Sequence, residues 1–358
     1  MKKVLLILMC CMAIQSVHAQ DTPKWADKAK KAVFSIVTYD KENKIKNTGN
    51  GFYIDNNGTA LSDYSLFEDA ERAVIINADG KELPVTRIAG ANSMYDVIKF
   101  RTETEKKITA LKVATQPAAV GETVYLLPYS TQKAATCQTG KVTQVDTIAD
   151  KAYYYTLTMT TSDKTVSCPI MNANGEVLGL IQKSASEEDK ESYAIGASYG
   201  ESLSISPLSA NDINLNKIGI AKALPETEDQ ALVYLYMSSS QMDAKNYLAT
   251  LNDFLQAYPN STEGYTRRAG YYMNIGDDEH NALAEADLKK AMDVSGNKTE
   301  GQYNVAKIIY SYCINLEEGK KAYGDWSYDK ALNIIREAIA TDAVSYTHLR
   351  AHETLMNL

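Results

Sequence analysis

Two spacings of apolar residues divide this chain. From about Lys31 to Lys217 they fall in short alternating runs, among them "AVFSIVTY", "GNGFYID", "RAVIIN", "ELPVTRIAG", "ETVYLLP", "YYYTLTMT" and "GEVLGLIQ". Alternation at period two puts apolar side chains on one face of a strand and polar ones on the other. The pairs Asn57-Gly58, Asp79-Gly80 and Asn174-Gly175 sit between such runs and mark hairpin turns. Many short strands with regular turns predict an all-β barrel or sandwich.

After "LPETEDQ" the period lengthens to that of a helix. "ALVYLYM", "NYLATLNDFLQAY", "GYTRRAGYYMNI", "NALAEADLKKAMDV", "YNVAKIIYSYCINL" and "YDKALNIIREAIA" carry it. These helices come in pairs, and the second of each pair shows an i, i+4, i+7 face: Tyr247, Leu251, Phe254; Ala284, Leu288, Ala291; Ala331, Ile335, Ala338. Such a face packs a helix on its partner and on the next pair. The arrangement resembles tetratricopeptide repeats, whose unit is about 34 residues. The second pair has extra residues at "NIGDDEHN" and the third a longer insertion at "LEEGKKAYGDWSY". An unrelated helical bundle is the alternative. The fold class is therefore multi-domain, β then α, with a barrel half followed by an α-helical repeat array.

Composition agrees with two ordinary cores: 358 residues, 45% hydrophobic and 23% charged. The start "MKKVLLILMCCMAIQSVHAQ" joins two lysines, an apolar core from Val4 to Ile14 and a small-residue end at Ala19. Residues 1–19 read as a secretory signal peptide; a lipid anchor through Cys10 or Cys11 fits less well. The expected location is across the inner membrane, in the periplasm. No later stretch approaches the ~20 apolar residues of a membrane span. Cleavage removes Lys2 and Lys3 and no acid, taking the net charge of −8 to about −10. Such a chain repels the phosphate backbone of nucleic acid. The expected divisions are a barrel domain at 25–218, a linker at 219–228, repeats at 229–342, and a foreign tail at 343–358 that breaks the helical pattern.

Three segments of the β half, in order, are similar to those around the triad in trypsin-like proteases of the high-temperature-requirement group. The first, "GNGFYIDNNGTALSDYSLFEDA", reads Ser62-Asp63-Tyr64-Ser65 where the family has threonine-asparagine-x-histidine, so Ser65 stands at the histidine. In the second, "ELPVTRIAGANSMYDVIKFRTE", Asp96 ahead of Val97 and Ile98 fits the aspartate. In the third, "KTVSCP" aligned on Pro169 puts Val166 at the nucleophile and Lys164, Ser167 and Cys168 at the three glycines. The resemblance covers roughly residues 30–215 and implies a double β-barrel. The family usually continues into a PDZ domain; this chain continues into helices.

Within that resemblance the chemistry is depleted. A triad needs a nucleophile, a base in reach and an acid to orient the base; losing the serine or the histidine alone costs on the order of 10⁶ in kcat. No histidine occurs between Gln20 and Glu226, so no alignment of the strands supplies the usual base. Replacing the three glycines restricts the turn that forms an oxyanion hole. The alternative is an active endopeptidase using Ser167 or Cys168 as nucleophile with a non-histidine base such as Lys164. Against it, both residues read as substitutes for small glycines, and Asp96 as an acid with nothing to orient.

Export permits disulfides, and the resemblance implies that the strand after Cys137 opens the second barrel near Cys168. A Cys137–Cys168 bond and two free thiols both remain open, while Cys313 reads as core. "SASEEDKES" and "GDDEHN" lack the ligand spacing of a calcium loop, and no metal or cofactor is implied. The expected function is a catalytically inactive protease homologue serving as a scaffold. Its helical repeats would bind a protein or peptide partner.

Overall fold

The computed structural model describes residues 22–104, 108–149, 152–182 and 191–341. The signal stretch at 1–19, most of "SASEEDKES" and the tail at 343–358 lie outside the described residues. The chain divides into two compact units. Of the described residues, one holds those up to Ser204 together with Ile213–Ala223; the other holds Ile205–Asp212 and those from Leu224.

The first unit contains two closed six-stranded barrels. Strands β1 (Val33–Tyr39), β2 (Ile45–Tyr53), β3 (Thr59–Ser62), β4 (Arg72–Ile76), β5 (Glu82–Asn92) and β6 (Val97–Thr102) close in the order β1-β2-β3-β6-β5-β4. Strands β7 (Thr123–Leu126), β8 (Gln138–Ala149), β9 (Ala152–Leu157), β10 (Pro169–Met171), β11 (Val177–Ile181) and β12 (Ser192–Gly196) close as β10-β11-β12-β9-β8-β7. Read from β7, the second order repeats the first, so the two barrels share one topology. β7 opens the second barrel, which corrects the expectation that the strand after Cys137 does so. Closure leaves no open sheet edge.

The turns explain part of this regularity. Asp40, Asp55, Asn77 and Asn172 each accept the backbone N–H groups two and four residues on through one side-chain oxygen. The residue three on is left-handed in every case: Asn43, Gly58, Gly80 and Gly175. Asparagine and glycine are the residues that tolerate that conformation. The three Asn-Gly and Asp-Gly signals are the ends of these loops, and the fourth loop uses Asn43 instead.

Each barrel is filled by its inward positions. Phe34, Ile36, Phe52, Leu61, Ile75, Ile88 and Phe100 are fully buried in the first, and Val124, Leu157, Ile170, Leu180 and Ile195 almost fully in the second. An N-terminal helix, α1 (Ala26–Ala29), precedes β1. Trp25 beside it donates to the Ala173 carbonyl at 3.0 Å and covers Gly175. Lys30 Nζ donates to the carbonyls of Gln132 and Lys133. This segment thus ties the strand that opens the first barrel to loops of the second. After β12 come α2 (Ala197–Ser202) and α3 (Ile213–Asn216). Residues 219–223 of the expected linker run beside β5, where Ile88 donates to Ala221 and Ala223 donates back to Ile88.

The second unit is helical: α4 (Glu228–Ser238), α5 (Ala244–Ala257), α6 (Thr262–Ile275), α7 (Asp278–Val294), α8 (Lys298–Asn315) and α9 (Tyr328–Thr341). Each starts at a side chain that accepts from the N–H three residues on: Thr227, Asp243, Ser261, Asp277, Asn297 and Ser327. Such caps stabilise a helix by about 1 kcal/mol each. Ala231 and Leu235 pack with Leu251, Phe254 and Leu255. Ala269, Ala284, Leu288, Ala291, Val305, Ile309 and Ala331 form a larger core with Trp326. The faces expected from spacing are therefore inward, save Tyr247 and Ile335, which are half-buried. Arg268 of α6 donates to both Asp287 oxygens at 2.8 Å and to Asn252, joining α5, α6 and α7.

Candidate functional site

The residues aligned with the triad lie on different elements of the barrel unit. Ser65 sits in the tight turn after β3, at Tyr64–Leu66, and is exposed. Asp96 stands just ahead of β6 with a left-handed φ of 48°. That conformation aims its carboxylate at Ser65: Oδ1 accepts the Ser65 N–H at 2.7 Å and Oδ2 accepts the Ser65 hydroxyl at 3.0 Å. The structure therefore brings the first two positions together as a hydroxyl capped by a carboxylate.

Val166 is half-buried in the loop between β9 and β10. Part of the backbone of that loop is paired within the loop and with β11. Thr165 N–H donates to Ser162 at 2.8 Å, Ser167 N–H to Ile181 at 2.8 Å, and Cys168 N–H to Thr165 at 3.1 Å. From the first barrel, Asn50 Nδ2 donates to the carbonyl oxygens of Lys164 at 3.1 Å and Val166 at 2.9 Å. Asn50 is buried on β2, and its own carbonyl accepts the Ser62 hydroxyl at 2.6 Å. One side chain thus fixes two peptide planes of the loop from across the seam between the barrels.

The two alternative nucleophiles face inward. Ser167 is fully buried at a left-handed φ of 63°, and its Oγ has no hydrogen bond of ordinary geometry. The family's glycine would take that φ freely; a serine takes it at a cost of about 1–2 kcal/mol. Cys168 is also fully buried, and burial pushes its thiol up to about 12, against which the Tyr129 backbone N–H works. Lys164 lies in the same loop and is exposed.

Beside Ser167 lies Asp63, 2% exposed, with Oδ1 lacking a partner. Burial raises its carboxyl well above the usual range and the charge of Asp96 raises it further. The Ser167 hydroxyl lies close enough to oppose this, without a bond of ordinary geometry. Asn50 and Asp63 are seam residues outside the three triad positions, although Asp63 stands at the family's asparagine. The signal for both was present in polar residues inside strand-like runs, Asn50 between Gly49 and Gly51 and Asp63 after "TALS".

Cys137, Cys168 and Cys313 are free thiols. Cys137 is half-buried, with its thiol raised to about 11 by burial and by Asp27. This geometry makes a labelling prediction. In native protein Cys168 should resist iodoacetamide at pH 8 while the partly exposed Cys313 reacts first, and Cys168 should react only as the barrels unfold in urea. Rapid native labelling of Cys168, read by peptide mass, would contradict its burial. Among the described residues no group of three histidine, cysteine or acidic side chains is placed to hold a metal ion. No described helix is long and apolar enough to cross a membrane.

Residues 49–180 match the trypsin-like peptidase domain family. The match begins within β2 and ends within β11, so it spans Ser65, Asp96 and the Val166 loop and takes in most of both barrels. No curated protein matches the chain.

Proposed function

We propose that this protein is an exported, catalytically inactive relative of the trypsin-like peptidases, kept as a protein-binding scaffold. The observation that carries the reading is the pairing of Ser65 with Asp96, which puts an alcohol where the chemistry needs an imidazole. The inward Ser167 and Cys168 support it, since neither exposes a nucleophilic atom to a substrate. So does the loop around Val166, two of whose carbonyls Asn50 ties to the first barrel. In the helical unit the three capped helix pairs, with their shared inward faces, support a tetratricopeptide-like array whose remaining surface recognises a protein partner. The acidic charge favours neutral or basic partners.

The test is hydrolysis of an unfolded protein substrate by the purified full chain, with fluorophosphonate labelling alongside. Ser167→Ala and Cys168→Ala variants run in parallel. The expected result is no turnover and no active-site label in any of the three. Turnover by the wild type that one of these substitutions abolishes would establish a rebuilt site and overturn the reading.

A further inference from the structure

Four glycines lie inside helices of the described residues: Gly200, Gly264, Gly270 and Gly301. Three are demanded by packing. A Cβ at Gly200 would come within 2.9 Å of Leu61, at Gly264 within 2.6 Å of Phe254, and at Gly301 within 2.6 Å of Ser295. At Gly270 a Cβ would meet only Ile308 Cδ1, at 4.0 Å, and the backbone there is not left-handed. Neither conformation nor contact asks for glycine, which costs a helix interior about 1 kcal/mol relative to alanine. What Gly270 does instead is deepen a cavity of about 460 Å³.

That cavity lies between the C-terminal ends of α6 and α8. Its apolar wall is Met273 and Ile308, and polar groups come from Asn274, Asn315 and Glu317. Helix C-termini carry the negative end of the backbone dipole and unpaired carbonyl oxygens, and they favour cations. Of the acids that follow the two helix ends, Glu317 lines the cavity, while Asp277 caps α7 and pairs with His280. An apolar wall below two helix C-termini and one carboxylate suits a long aliphatic stem with a cationic head.

From these features, and resting on the reading of the helical unit as a partner-binding surface, we propose that this cavity binds a lysine or arginine side chain of a protein partner. Lys320 on the rim is now paired with Glu317 at 2.9 Å, and both side chains are well exposed. Such a pair is worth little in water, so an incoming cation can exchange with it. Lys320 is then a competitor of the guest and lowers its affinity.

The test uses the full chain and fluorescence anisotropy of a labelled octapeptide alternating lysine and serine. Octapeptides with glutamate or with norleucine in place of lysine serve as controls. Gly270→Phe fills the cavity with a side chain the helix accepts, so its thermal melt should match the wild type. Its affinity for the lysine peptide should fall at least about tenfold, a loss of about 1.4 kcal/mol. Glu317→Gln should weaken binding and Lys320→Gln should tighten it, each by about two- to fivefold. General attraction to an acidic protein is indifferent to Gly270→Phe, so equal binding by wild type and that variant would overturn the proposal. A glutamate or norleucine peptide that binds more tightly than the lysine peptide, and loses its affinity in Gly270→Phe, would overturn the charge assignment and leave partner recognition standing. Failure of all three peptides on folded protein would remove the proposal, and with it the support that this cavity lends to the partner-binding reading.

Discussion

Replacing Asp63 with asparagine is expected to stabilise the barrel unit at neutral pH and to flatten its pH dependence. The folded protein holds this carboxyl well above the ordinary value, chiefly through burial and then through the charge of Asp96. In the unfolded chain the group titrates near pH 4. Below that pH both states carry the proton and Asp63 contributes no difference. As pH rises further, the unfolded chain releases the proton while the folded state must keep it or bury a charge. Stability is therefore lost with rising pH, by about 1.4 kcal/mol per unit, from near pH 4 up to the folded value. Asparagine removes that slope. Urea unfolding at pH 3.5, 5.5 and 7.5 measures it. A Trp326→Phe background leaves only Trp25, which sits on the barrels, to report. The gap between the proteins with and without the Asp63→Asn change should be small at pH 3.5 and widen at each step. Other titrating groups are common to both proteins and cancel in the difference. Parallel stability curves would mean that Asp63 is ionised in the fold.

The second large effect is expected at Asn50. Alanine there removes both donors to the Lys164 and Val166 carbonyls while leaving the backbone acceptor for Ser62 in place. Two part-buried carbonyls lose their partners at about 1–1.5 kcal/mol each, so the barrel unit should lose about 2–3 kcal/mol. The local effect is more specific than the global one. Lys164 is an exposed trypsin site on a loop held by two backbone bonds of its own, one to Ile181 of β11 and two from Asn50. Without Asn50 that loop should open far below the cost of unfolding, and cleavage after Lys164 should become the fastest cut. Mass spectrometry of a short trypsin digest decides it. If Lys164 is cut no faster in Asn50→Ala than in wild type, the seam bonds do not hold the loop.

Much of the fold was legible in the chain because alternation and helical spacing are local. All seven quoted β runs became strands, and the quoted helical faces turned inward with only Tyr247 and Ile335 half-exposed. β8, the longest strand, is the one expected after Cys137, but it is the second strand of its barrel, not the first, and none of the quoted alternating runs covers it. Most of its side chains face solvent, with Val142 the main buried contact, so its apolar pattern is faint. The fourth hairpin loop was missed because Asn43 fills the left-handed position usually signalled by glycine.

The site divides along the same line. Sequence alone determined that the barrels lack a histidine, and with it the usual base, because an absent residue type does not depend on geometry. It also determined the order of Ser65, Asp96 and Val166 along the chain. Only the tertiary structure decided which groups meet. Asn50 and Val166 are more than a hundred positions apart and bond across the seam between two barrels. Asp63 and Ser167 are likewise distant in sequence, and share a buried space in which neither is fully satisfied. The same holds for the cavity at Gly270, which looks like an indifferent helical glycine until Ile308 is placed 4.0 Å from the missing Cβ. Periodicity reports which face of one element is apolar. Hydrogen bonding and desolvation depend on pairs of elements, and their strength is set by distances that no single stretch of chain contains.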